Sequence, residues 1–281
     1  MLFADGDYGA AASLMMDALE RAPNWSIGWL RLGEYYEAAG EMSQAVEAWN
    51  MALKIDPSDR AGATLKLAIA GAIPHSSRPP SAFVEALFDQ YADRFEFSLL
   101  QKLGYRLPDL LLRAIHDIQL GPFELARDLG CGTGLMGERL RPNVNRLEGF
   151  DISAEMLRRA RAKGIYDLLT RADLHNLREF TTFADLVTAT DVFNYVGALD
   201  EIVSRIAAMQ QSGGLFAFSV ERHTGIEDFA LLTSRRYAHS QPYVERVLAS
   251  SGYDPLAMTT ETIRMDRNEP IEGILVVARK H

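Results

Sequence analysis

The sequence predicts an α/β chain, with a mostly parallel doubly wound sheet preceded by a small all-α region. Three observations carry that prediction. Beyond residue 124 short apolar runs alternate with helix-period stretches, before residue 72 every apolar stripe has helical spacing, and Gly71 to Pro80 (GAIPHSSRPP) has no apolar period. Apolar residues make up 48% and charged residues 24% of 281, values of ordinary folded protein. Uncharged apolar runs such as Gly214 to Val220 and Gly273 to Ala278 are strand-sized, too short to span a bilayer. The opening residues carry Asp5, Asp7 and Asp17 and no Lys or Arg, unlike a targeting segment, so a cytoplasmic address is expected. A single cysteine, Cys131, allows no internal disulfide and no multi-Cys metal site, and no metal is expected. A net charge of −9 repels phosphate backbones, so neither nucleic acid nor membrane is an expected partner.

Gly6, Ala11, Met15, Ala18, Leu19 and Pro23 recur as Gly40, Ala45, Trp49, Ala52, Leu53 and Pro57, each displaced by 34 residues. Between them Trp29, Leu32, Gly33 and Tyr36 lie on one helical face, with Gly33 small enough to admit a neighbouring helix. This pattern resembles the tetratricopeptide (TPR) repeat, complete over one unit and partial at either end. It covers residues 1–72, with Ser58 to Ala72 read as a closing helix and residues 73–80 as a linker. Such an array is shorter than the ~3 repeats that usually make a stable solenoid, so further repeats before Met1, a second copy or the following domain is expected to cover its open face.

In the remaining region, residues 81–281, two helical stripes come first: Phe83 to Tyr91, with Ser81 as cap, and Pro108 to Gln119. Strands are then expected near 124–129, 146–150, 166–172, 184–190 and 214–220, and helices at 135–141, 153–163 and 198–211. Ser153 reads as an N-cap, and Gly164 and Gly213 as C-caps. The tail holds a helix through Tyr243, Val247 and Leu248, followed by two strand-like runs that would form an antiparallel pair at one sheet edge.

Ligands of such sheets sit at the carboxyl ends of the strands. The first strand runs into Asp128-Leu129-Gly130-Cys131-Gly132-Thr133-Gly134, a turn with alternate Cβ atoms removed. Gly132, Gly134 and Gly137 also spell the G-x-G-x-x-G of a nicotinamide site, with Asp151 nineteen residues after Gly132, so the glycines alone do not decide. The acids favour S-adenosylmethionine. Asp128 opposes a pyrophosphate but suits an ammonium and a sulfonium, Asp151 can accept from two ribose hydroxyls, and Asp173 from an adenine amino group.

Asp128 to Gly134 followed by Gly149-Phe150-Asp151-Ile152-Ser153 is similar to the class I S-adenosylmethionine-dependent methyltransferases. Joined to the repeats, it resembles a group of bacterial TPR proteins described as predicted methyltransferases. The resemblance implies a seven-stranded, Rossmann-like sheet with its last strand inserted antiparallel. It also implies a cofactor shell of Asp128, Gly130 and Gly132 at the methionine end, Asp151 at the ribose and Asp173 with Leu174 at the adenine, with Cys131, Gly134, Ile152 and Met156 as further cofactor-binding residues. Tyr91 matches an aromatic on a covering helix, and Asp191 lies where strand four meets cofactor and substrate. Thr190 to Tyr195 lacks the prolines of base-amino methyltransferases and the histidine of many small-molecule ones.

The expected function is transfer of the sulfonium methyl to a small-molecule O, N or C nucleophile, leaving S-adenosylhomocysteine. His239, Asp191 and Tyr195 are the candidates for a base. Two alternatives stay open: a protein substrate recruited by the TPR groove, and a non-catalytic cofactor-binding scaffold. Asp151 and Asp173 also suit plain helix capping, Cys131 a small loop residue, and the Trp and Tyr stripe at 29–49 helix packing.

Overall fold

The computed structural model describes residues 6–177, 180–266 and 269–281, with only the backbone of Gln101 and Lys102. The chain forms two compact units. One is Met1–Leu87 with Leu231–Arg235, the other Phe88–Ala230 with Arg236–His281. The division falls inside a helix a few residues beyond the predicted linker, and the first residues of the predicted repeat, 1–5, lie outside the described ones.

The first unit contains α1 (Tyr8–Arg21), α2 (Ser26–Ala38), α3 (Met42–Ile55) and α4 (Ala63–Ile69). The repeat is visible in the backbone: α1 and α3 have the same length, each begins two residues after a glycine of positive φ, Gly6 or Gly40, and each ends before a proline. Trp49 and Leu32 are fully buried, and a Cβ at Gly33 would collide with the Trp49 indole, so glycine there is what lets α2 and α3 touch. The closing helix starts at Ala63 rather than Ser58. Asp59, at φ 55, turns the chain, and its carboxylate accepts from the N–H groups of Ala63 and Thr64 at 2.6 and 2.9 Å, a cap that fixes the later start. Arg235 belongs to this unit, stacking on Phe83 at 5.1 Å and donating to the Ala61 carbonyl.

α5 (Ser81–Tyr91) passes into the second unit, followed by a turn, α6 (Phe95–Phe97), which runs into a π-helical stretch at Ser98–Lys102, and by α7 (Leu107–His116). Then come β1 (Phe123–Leu129), α8 (Leu135–Leu140), β2 (Val144–Asp151), α9 (Ala154–Lys163), β3 (Leu168–Arg171), β4 (Ala184–Ala189), α10 (Asp200–Ala208) and β5 (Gln210–Arg222). The chain closes with β6 (Phe229–Leu231), β7 (Tyr237–His239), α11 (Gln241–Ser250), β8 (Tyr253–Asp266) and β9 (Glu269–Lys280). β3, β2, β1, β4 and β5 are parallel in that order, β9 runs antiparallel beside β5, and β8 lies beyond β9. The expected seven strands and the antiparallel insertion are there. The sheet counts nine because β6 and β7 extend from the end of β5.

Side chains alternate between two cores, as the period of a strand demands. Phe216 and Phe218 of β5, with Ile274 and Val276 of β9, pack with α10 and α11, whereas Leu215, Ala217 and Val277 face α7 and α8. In the second region two predicted helix caps differ from the sequence expectation. α10 stops at Ala208, and Gly213, read as its C-cap, sits inside β5, where the register against β4 shifts. Ser81 is the first residue of α5, not its cap. Ser153 caps α9 by accepting from the Met156 N–H at 3.0 Å, and Gly164 closes it at φ 64, both as expected.

Candidate active site

Parallel register brings the acids together. Asp128 pairs with Gly149 of β2 and with Thr188 of β4, and Asp151 with Arg171 of β3, so the carboxylates stand at one edge of the sheet. Gly130, Gly132 and Gly134 all have positive φ, between 54 and 94, and a Cβ at Gly130 would strike Val192. Gly134 is the N-terminal cap of α8, and the Cys131 N–H donates to the Phe150 carbonyl at 2.9 Å, which ties the turn to β2.

Asp128 is buried, and its carboxylate accepts from the Tyr166 hydroxyl at 2.7 Å and the Thr188 hydroxyl at 2.9 Å. Asp151 accepts from the N–H groups of Gly132 and Ser153, both at 2.8 Å, and so braces the glycine turn from beside. Burial raises both carboxyls, each to about 6, against these hydrogen bonds. A carboxylate has about four lone-pair sites, so Asp151 keeps capacity to accept from a ligand beyond these backbone donors. Burial also pushes the Cys131 thiol well up, with the Asp151 and Asp128 charges adding to it, which makes Cys131 a packed loop residue rather than a nucleophile.

Met156 is buried in α9, Ile152 offers its carbonyl to Arg171, and Asp173 accepts from the His175 N–H at 2.9 Å at the head of a one-turn helix holding Leu174. Tyr91, expected over the cofactor, is half exposed at the end of α5. The aromatic nearest Gly132 is Phe95, 3.7 Å from where a Cβ would stand. Phe88 meets Phe95 edge-on at 6.1 Å and Tyr195 at 5.1 Å.

The acceptor-side candidates separate. Asp191, held at φ 60, accepts from Arg264 and from Asn194, each at 3.0 Å, while its N–H donates to Ser219. Burial raises its pKa although Arg264 and Arg236 pull it down. The Tyr195 hydroxyl accepts from Arg236 at 3.3 Å. His239 is fully buried: its Nε2–H donates to the Gly197 carbonyl at 2.8 Å, Phe229 and Tyr243 flank the ring, and burial lowers its pKa to about 4. A neutral, enclosed imidazole is a weak base, so the expectation for His239 is corrected: it anchors the loop that carries Tyr195.

Sequence reasoning missed Asp89, Tyr166, Arg236 and Arg264. Asp89 accepts from the Ser153 hydroxyl at 2.6 Å and adds charge beside Asp151. Tyr166 fills the space left by Gly137 and Gly149. The paired absence of Cβ at 137 and 149 was the one signal in the sequence for a large side chain between them.

Residues 127–218 match the family described as Methyltransferase domain, and residues 2–69 match Tetratricopeptide repeat. The match to the methyltransferase domain thus follows the match to the tetratricopeptide repeat along the chain. Over 168 residues the chain is 25% identical to the malonyl-[acyl-carrier protein] O-methyltransferase of Hamiltonella defensa subsp. Acyrthosiphon pisum, covering 59% of this chain and 62% of that protein. It thus spans under two thirds of that relative. Magnesium protoporphyrin IX methyltransferase from Synechocystis, solved with S-adenosylhomocysteine, has a TM-score of 0.56 at 18% identity, covering 72% of this chain and 99% of that one. The [4+2]-cyclase SpnF superposes at a TM-score of 0.59 and 16% identity, covering 73% and 97%. At such identities the methyltransferase fold is shared and the chemistry is not thereby given.

Proposed function

We propose that the chain is an S-adenosylmethionine-dependent methyltransferase acting on a small-molecule nucleophile. The observation that carries this is the pair of buried carboxylates, Asp128 and Asp151, flanking a glycine turn. A dinucleotide would bring a pyrophosphate against Asp128, whereas a ligand with an ammonium and a sulfonium repays its burial, and Asp151 suits the ribose hydroxyls. The malonyl-carrier relative and the S-adenosylhomocysteine-bound neighbour support the same reading. Cofactor-binding roles for Asp128, Gly130, Cys131, Gly132, Gly134, Asp151, Ile152, Met156, Asp173, Leu174 and Asp191 follow, with Phe95 in the covering position expected for Tyr91.

When bound, S-adenosylmethionine supplies an activated sulfonium methyl. The chain's part is to hold acceptor and methyl in line and to exclude water, and such positioning is worth up to ~7 to 11 kcal/mol. Phe88, Phe95 and Tyr195 provide the apolar wall. Asp191 and Tyr195 remain the candidates to take a proton from an acceptor that must lose one. A reducing cytoplasmic setting suits the lone thiol, and the repeats suit a protein partner.

The test is a thermal-shift series with S-adenosylmethionine, S-adenosylhomocysteine, NAD and NADP. The first two, at a hundred times their dissociation constants, stabilise by ~2.7 kcal/mol and the nicotinamides do not. Asp151→Ala weakens S-adenosylmethionine by about a hundredfold or more in calorimetry, because two charged hydrogen bonds are lost. An unchanged dissociation constant rejects the assignment.

A further inference from the structure

Two arginines and two acids gather near the carboxyl ends of β4 and β5: Asp191, Glu221 near the end of β5, Arg236, and Arg264 from β8. Their formal charges cancel. Arg264, only 2% exposed, donates to Asp191 at 3.0 Å and to Glu221. Asp191 receives a second donor from Asn194, so both acids are engaged. Arg236 is different. Its side chain is 27% exposed, its Nε–H makes one long bond of 3.3 Å to the Tyr195 hydroxyl, and its Nη1 stands 3.6 Å from Glu221, an ion pair without a hydrogen bond. A guanidinium has five N–H donors in a planar fork. Among the described residues the rest of the Arg236 fork has no hydrogen-bond partner, and the buried Arg264 Nε–H and Asn194 Oδ1 have none either.

The cluster is linked to the glycine turn by a chain of aromatic contacts. Tyr195 joins Arg236 to Phe88 and through it to Phe95 beside Gly132, and buried Tyr105 feels the charges of Asp191, Arg264 and Asp128 together. We propose that Arg236 is a specificity-determining residue that grips a carboxylate of the methyl acceptor. The inference rests on the methyl-transfer reading and adds its substrate class. A planar carboxylate matches two parallel N–H groups of the open fork, and lysine cannot reproduce that geometry. Asp191 and Glu221 are balanced by Arg264 and Arg236 together, so an acceptor carboxylate meets a cluster of no net charge rather than an acidic one.

The experiment uses the full chain, S-adenosylmethionine labelled in its methyl group, and a cell metabolite extract in three portions: untreated, treated with phosphatase, and amidated with carbodiimide and ethanolamine to cap carboxylates. Label transfer is expected into the first two portions and a loss of at least about tenfold in the amidated one. Arg236→Gln is expected to slow transfer by about tenfold, the worth of one charged hydrogen-bond pair, with R236K between it and the wild type. S-adenosylmethionine affinity is expected within about twofold in every variant, which also shows that the variants fold. Transfer that survives amidation, transfer abolished by phosphatase, equal rates for R236Q, or no transfer by a cofactor-bound enzyme overturns the proposal. So does an R236Q that binds S-adenosylmethionine much more weakly, since the guanidinium would then serve the cofactor's own carboxylate. Wild-type protein that binds no S-adenosylmethionine fails the methyl-transfer reading itself, and that result is read separately.

Discussion

Asp128 and Asp151 both bear the cost of burial. Burial raises each carboxyl from an ordinary 3.8 to about 6, so the folded chain binds more protons than the unfolded one between those values. The sign follows: ligand-free stability falls as pH rises through that window and recovers as pH falls. Cofactor affinity moves the other way, because a sulfonium and an ammonium favour ionised Asp128 and ribose hydroxyls donate to ionised Asp151. Calorimetry from pH 8 to 5 is expected to show S-adenosylmethionine binding weaken below about pH 6, while the melting temperature of the ligand-free protein shows no matching loss from these groups. Binding that strengthens on acidification would mean the acids do not face the cofactor. Among single residues, the glycines and acids of this turn were legible in the sequence because each answers to a local constraint. His239 was misread because its burial under Phe229 and Tyr243 is a property of neighbours brought in from other elements.

Elements are where periodicity decides most. The 34-residue displacement located α1 and α3, and the alternation of apolar runs located every long strand. What periodicity could not supply were ends set by side chains reaching along the chain, as Asp59 does for α4. The α2–α3 contact yields a prediction of opposite signs for the same change. Gly33→Ala puts a methyl into the buried Trp49 ring and is expected to destabilise by about 1 to 3 kcal/mol, outweighing its gain in helix propensity. Gly9→Ala, in α1 with open space around it, is expected to be neutral or to stabilise by up to about 1 kcal/mol. Urea unfolding of the two variants checks the contrast, and equal shifts would remove the close-packing role of Gly33.

At the scale of the whole molecule, a net charge of −9 is expected to keep duplex DNA from binding at 0.15 M salt, and retention of labelled DNA on a filter at that salt would reveal a basic patch that composition hides. Among the described residues no helix is long and apolar enough to cross a membrane. By itself the sequence determined the two regions, the order of strands and helices, and the glycine turn with its acids, because period, turn geometry and strand-end position are all read within a few residues. Only the tertiary structure decided who meets whom. Tyr166 reaches Asp128 across 38 residues and Arg264 reaches Asp191 across 73, since parallel register and the insertion of β9 beside β5 bring together groups that no spacing along the chain announces. Hydrogen bonds and charges act over a few ångströms of space, and the sheet order sets which distant residues share them.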